Sequence, residues 1–144
     1  MLVHQILTTK SNDKVTAIDS DATIAEAATL LAERRIGCLV VRDGANELAG
    51  MLSERDIVRE VGRRGSICLS DPVSSIMTRS VTTCTPDDTA DDVMELMTNG
   101  RFRHVPVVAA DRVTGLISIG DVVKARISEL HMERNALEEM IMGR

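Results

Sequence analysis

Gly115-Leu116-Ile117-Ser118-Ile119-Gly120-Asp121 repeats the glycine, apolar pair, serine and aspartate of an earlier stretch, Gly50-Met51-Leu52-Ser53-Glu54-Arg55-Asp56. Each copy reads as a strand running into a helix. The apolar pair leaves a sheet, the serine takes the N-cap and the aspartate follows three positions later. Such a junction offers unpaired backbone N–H groups to an anion.

Working outward, the two copies belong to a tandem repeat. Val3-His4-Gln5-Ile6-Leu7-Thr8 returns as Val73-Ser74-Ser75-Ile76-Met77-Thr78, so each half opens with a helical turn ahead of its first strand. Four extra residues in the first half change the register, and Val15-Thr16-Ala17-Ile18 then lies over Val81-Thr82-Thr83-Cys84 as a short β-branched strand. The next segment is helical in both halves. Ile24, Ala27, Ala28 and Leu31 follow the i, i+3, i+4, i+7 template, as do Ala90, Val93, Met94 and Met97. Asp21, Thr23, Asp87 and Thr89 supply the acidic and hydroxyl residues of helix starts.

The apolar runs Cys38–Arg42 and His104–Val108 have strand length, and each leads through a turn at Asp43-Gly44 or Ala110-Asp111 into a hairpin partner, Leu48–Leu52 or Val113–Ile117. Pro106 has no N–H for a ladder, so its nitrogen is expected at an edge or a cleft rather than against a neighbouring strand. The fold class is α/β, or α+β by some schemes: two pseudo-symmetric β-α-β-β-α half-domains sharing one core. The first repeat spans 3–63, a linker 64–72 and the second repeat 73–127. A C-terminal helical extension covers 128–144. On it Val123, Ile127, Leu130, Leu137 and Ile141 keep a four-three spacing broken by Arg134, a seam that calls for a second subunit.

Composition narrows the function. With 144 residues and 44% apolar content the chain can bury a core, yet its one aromatic residue is Phe102, so it has no platform for stacking bases. A net charge of −5 also disfavours a phosphate backbone, and nucleic acid is not expected as a partner. No apolar run approaches the roughly 20 residues of a membrane span, and no secretory leader is visible, so reduced thiols and a cytoplasmic location are expected. Cys38, Cys68, Cys84, His4, His104 and His131 lack zinc-type spacing; Cys38 and Cys84 read as small buried apolar residues and no metal is expected. Met132, Met140 and Met142 read as helix-packing residues. Nucleophile elbow, phosphate loop and dinucleotide fingerprint are all missing, so the chain is not expected to be an enzyme.

The two glycine-to-aspartate motifs, Arg101-Phe102-Arg103-His104-Val105-Pro106-Val107-Val108, and Ile76-Met77-Thr78 ahead of Val81 together resemble a tandem pair of cystathionine β-synthase (CBS) domains, also called a Bateman module. The resemblance runs from Val3 to about Ile127. It implies two clefts, an adenosine nucleotide as ligand and a dimer. In the family each motif aspartate shares a cleft with strand residues of the other half. Asp56 would thus work with Val81, Arg103 and His104, and Asp121 with Lys14, Thr16, Ile36, Gly37 and Cys38.

The residue chemistry fits that implication. A nucleoside needs a carboxylate for its ribose hydroxyls, donors for phosphate and an apolar slot for the base. Asp56 and Asp121 supply the first, Ser53 and Ser118 offer hydroxyls, and Arg55, Arg103 and His104 can meet phosphate. The other cleft has Gly120, Gly37 and Cys38 in the matching places. A second reading of Ser-x-x-Asp stays open, a capping box whose acid turns back to the serine N–H. The expected function is a stand-alone, non-catalytic homodimeric sensor of AMP, or of ADP or ATP, acting on a regulated protein partner. The alternatives are an NAD(H)-binding module and a non-binding interaction protein.

Overall fold

The computed structural model describes residues 1–10 and 15–143. In chain order its elements are α1 (Val3–Thr9), β1 (Ala17–Asp19), α2 (Ile24–Arg34), β2 (Cys38–Asp43), β3 (Asn46–Ser53), α3 (Glu54–Arg64), two 3₁₀ turns (Ser66–Ser70 and Val73–Ser75), α4 (Ala90–Gly100), β4 (His104–Ala109), β5 (Arg112–Ser118) and α5 (Ile119–Ile141). The fold is mixed α and β, with five α-helices and two small sheets among the described residues.

The chain forms two compact units, Lys14–Val81 and Met1–Asp13 with Thr82–Arg144, each holding one copy of the motif. Each unit gathers its own cluster of apolar side chains. In the first unit Leu39 and Val41 of β2 and Leu52 of β3 pack with Ile24, Ala27 and Leu31 of α2. In the second, Val105, Val107 and Ile117 pack with Ala90, Val93 and Met97. The period-two side chains that face away from each cluster include Cys38 and Val40 on β2 and His104 and Pro106 on β4.

The opening segments pack in an order that the linear repeat does not show. Val3 and Ile6 of α1 lie in the cluster of the second repeat, with Val3 N–H donating to Asp88 O at 2.8 Å. Val73 and Met77 lie in the cluster of the first, with Val73 N–H donating to Ala22 O at 2.7 Å. The segment expected as a linker is likewise structured. Its 3₁₀ turn buries Cys68, and Arg64 joins Glu60 of α3 to Asp71 at 2.7 Å. Hydrogen bonds from Arg63 and Arg64 hold the Glu60 carboxyl below the usual range against the opposing effect of burial.

The first strands of the halves differ. In the first unit β1 runs parallel to β2, and Val40 N–H donates to Thr16 O at 3.1 Å. At the matching place stands Pro106, which has no N–H to give. Its counterpart segment 81–84 accordingly keeps one bridge, Cys84 to Val107, through Cys84 N–H to Pro106 O at 3.0 Å and Val108 N–H to Cys84 O at 2.9 Å. A strand is thus reduced to a contact by one missing donor.

The motif glycines are also unequal. A Cβ on Gly50 would stand 2.7 Å from Thr78 O and 2.8 Å from Met77 Sδ. Thr78 exchanges both backbone hydrogen bonds with Met51, each at 2.9 Å, so that oxygen is fixed. A Cβ on Gly115 would meet the Leu7 methyl groups at 2.7 and 2.8 Å, which a side-chain rotation can clear. Gly50→Ala is therefore expected to cost about 1–3 kcal/mol by overpacking, and Gly115→Ala clearly less. Thermal melts of both variants check this; equal losses would show that the fixed Thr78 carbonyl is not the cause.

Candidate functional site

Each motif is built by the same local physics. Ser53 and Ser118 end their strands in extended conformation and N-cap α3 and α5. The Asp56 N–H donates to Ser53 Oγ at 3.2 Å, and the Ser53 N–H donates to Asp56 Oδ2 at 2.9 Å. Ser118 and Asp121 make the same pair of bonds at 3.2 and 2.9 Å. Both capping boxes are therefore real. They engage one carboxylate oxygen by one donor, which leaves most of the roughly four acceptor positions of a carboxylate for other use. Capping and ligand binding are compatible roles for one aspartate.

The strand starts sit beside the motif of their own unit. In the first, Cys38 pairs with Ser53 and Gly37 O accepts from Glu54 N–H at 2.9 Å, while Ile36 N–H closes α2 onto Leu31 O at 3.2 Å. Thr16 lies half-buried ahead of β1, and its carbonyl takes the Val40 N–H. Arg55 is exposed on the first turn of α3, and Val81 is half-buried at the end of this unit. In the second unit His104 pairs with Ser118, and Arg103 O accepts from Ile119 N–H at 2.8 Å. Arg103 is exposed and His104 half-buried. Lys14 lies outside the described residues.

Thiol chemistry does not belong to this arrangement. Burial, reinforced by the Asp56 charge, pushes the Cys38 thiol up to about 12, and burial with Asp88 does the same for Cys84. Both remain neutral thiols across physiological pH. Among the described residues no group of three His, Cys, Asp or Glu side chains is placed to hold a metal ion.

One residue escaped the sequence reading. Lys10, which follows α1, donates its Nζ to Asp121 Oδ2 and to Leu116 O, each at 2.9 Å. Burial works to raise the Asp121 pKa, but the Ser118 N–H and the Lys10 ammonium outweigh it and hold the carboxyl below the usual range. The available signal was the repeat itself: at the position matching Lys10 the second copy has the short, uncharged Ser80.

A family model described as CBS domain matches residues 3–63 and 73–128, most of the chain and both copies of the motif. The chain belongs to the CBS-domain family. This CBS pair is similar to a CBS-domain containing protein of Agrobacterium tumefaciens, with a TM-score of 0.84 and 43% identity over 88% of this chain and 99% of that one. It is 36% identical to the mitochondrial CBS domain-containing protein CBSX3 of Arabidopsis thaliana, a match covering 86% of this chain and 62% of the plant protein. The CBS domain pair of protein MJ0100, solved in complex with 5′-methylthioadenosine and S-adenosyl-L-methionine, has a TM-score of 0.77 and 29% identity over 90% of this chain and 98% of that one. No helix among the described residues of this CBS pair is long and apolar enough to cross a membrane.

Proposed function

We propose that this CBS pair is a regulatory module, without catalysis of its own, that binds adenosine-containing ligands through the motif aspartates Asp56 and Asp121. The observation that carries the ligand class is the MJ0100 pair, whose two ligands share the adenosine moiety. Adenosine presents a ribose cis-diol, and a carboxylate that keeps open acceptors is the group suited to it. The exposed Arg55 and Arg103, with His104, favour a phosphorylated ligand, AMP first, with ADP and ATP as close variants. A homodimer is part of the proposal, because the face of α5 that carries Val123, Ile127, Leu130, Leu137 and Ile141 lies unburied in the single chain.

Calorimetric titration with adenosine, AMP, ADP, ATP and NADH tests the reading. Saturable heat with AMP exceeding that with NADH is expected. Tighter binding of NADH would move the assignment to a dinucleotide. Absence of saturable heat with every adenosine compound would remove the ligand-sensing reading and leave association as the activity of the chain.

A further inference from the structure

The two motifs share their glycine, serine and aspartate, yet their carboxylates meet different partners. A carboxylate accepts about two hydrogen bonds on each oxygen. On Asp121, Oδ2 takes the Ser118 N–H and the Lys10 ammonium, each at 2.9 Å, which fills it. On Asp56, Oδ2 takes the Ser53 N–H, and the Arg59 guanidinium stands 3.7 Å from Oδ1, beyond hydrogen-bonding distance. The Arg59 side chain is 75% exposed, so water screens what attraction remains. The two aspartates are equally accessible, each side chain being 18% exposed. Access therefore does not distinguish them; occupancy does.

Capture of a cis-diol by one carboxylate uses an open acceptor on each oxygen. Asp56 has that arrangement. Asp121 reaches it only when the Lys10 Nζ leaves Oδ2, and the ammonium is held in place by its second bond to Leu116 O at 2.9 Å. At the position matching Lys10 the second copy has Ser80, a side chain without an ammonium group. Resting on the adenosine-binding reading above, we infer that Lys10 is a resident latch on Asp121. It makes the Asp56 motif the primary adenosine site and the Asp121 motif a secondary site that opens by displacement of the lysine.

The test uses adenosine as a neutral probe, so that no phosphate can recruit Lys10, in calorimetric titrations of the full chain. Asp56→Asn should remove the tighter event and Asp121→Asn should retain it, a comparison that leaves Lys10 untouched. In the Asp56→Asn background, Lys10→Met should tighten adenosine binding at the remaining site by about tenfold, whereas Lys10→Arg, which keeps a cation, should leave it unchanged. Lys10→Gln serves in place of methionine if the latter lowers the ligand-free melting transition. Unchanged or weakened binding in the lysine-free variants would overturn the latch, as would loss of the tighter event in Asp121→Asn rather than Asp56→Asn. A wild-type chain that binds no adenosine at either motif would instead overturn the ligand reading, and the latch with it.

Discussion

Asp56→Asn is expected to abolish most of the AMP-induced rise in melting temperature while leaving the ligand-free transition nearly unchanged. Asparagine keeps a side-chain oxygen able to accept the Ser53 N–H now bonded at 2.9 Å, so the capping box and the start of α3 survive. What it removes is the negative charge and one acceptor oxygen. A hydrogen bond to a charged group is worth about 1.5–3 kcal/mol, so losing even one weakens binding by roughly tenfold or more. Ligand stabilisation grows with the logarithm of ligand concentration over the dissociation constant, so the shift at fixed AMP reports the affinity directly. Asp56→Ala provides the contrast, because it loses both functions and should melt lower even without ligand, by about 1 kcal/mol of capping energy. An Asp56→Asn chain that keeps the full AMP shift would show the aspartate to be a cap and nothing more.

Truncation after Glu129 is expected to convert the proposed dimer to monomer without unfolding either unit. The buried residues of α5 are Val122 and Ala125, both retained, whereas every described residue from Leu130 onward is exposed. Met132, Met140 and Met142, expected from sequence to pack against other helices, are among those exposed residues. The truncation takes Leu130, Leu137 and Ile141 from the stripe of each copy. Full burial of such a side chain is worth about 1.5–3 kcal/mol, and each 1.4 kcal/mol or so is a factor of ten in affinity. Sedimentation velocity of the two chains over a concentration series reads the outcome. Arg134 supplies a second arm: it interrupts the stripe and pairs with Glu138 of its own helix at 3.5 Å. Arg134→Leu should tighten association if the stripe is the contact. A truncated chain that stays a tight dimer would place the contact elsewhere.

Periodicity identified both core helices because Ile24, Ala27 and Leu31, and Ala90, Val93 and Met97, are the residues buried there. It also identified the strand-to-helix junctions, since Ser-x-x-Asp is a local pattern whose bonds close within four residues. Segment 81–84 was legible as a strand by composition, and lost its ladder to the missing donor at Pro106, a partner more than twenty residues away. At the helix ends glycine stands nearby, at Gly37 and Gly100, yet the residues that adopt left-handed backbone are Arg35 and Arg101, with φ of 54° and 57°.

The sequence by itself determined the repeat, the family, the element order and the identity of the two motif aspartates, because these are properties of short windows and of their recurrence. Tertiary structure decided which piece packs in which unit and what meets each carboxylate. Val3 and Ile6 join the core of the repeat that lies furthest from them in the chain, and Lys10 reaches Asp121 across 111 positions. Burial energy depends on which surfaces meet, not on their separation along the chain, and the cost of closing a long loop grows only logarithmically with its length. Distant partners are therefore thermodynamically accessible while leaving no local trace. That is why two motifs built on the same glycine, serine and aspartate meet different partners: Lys10 is brought to Asp121 by the fold.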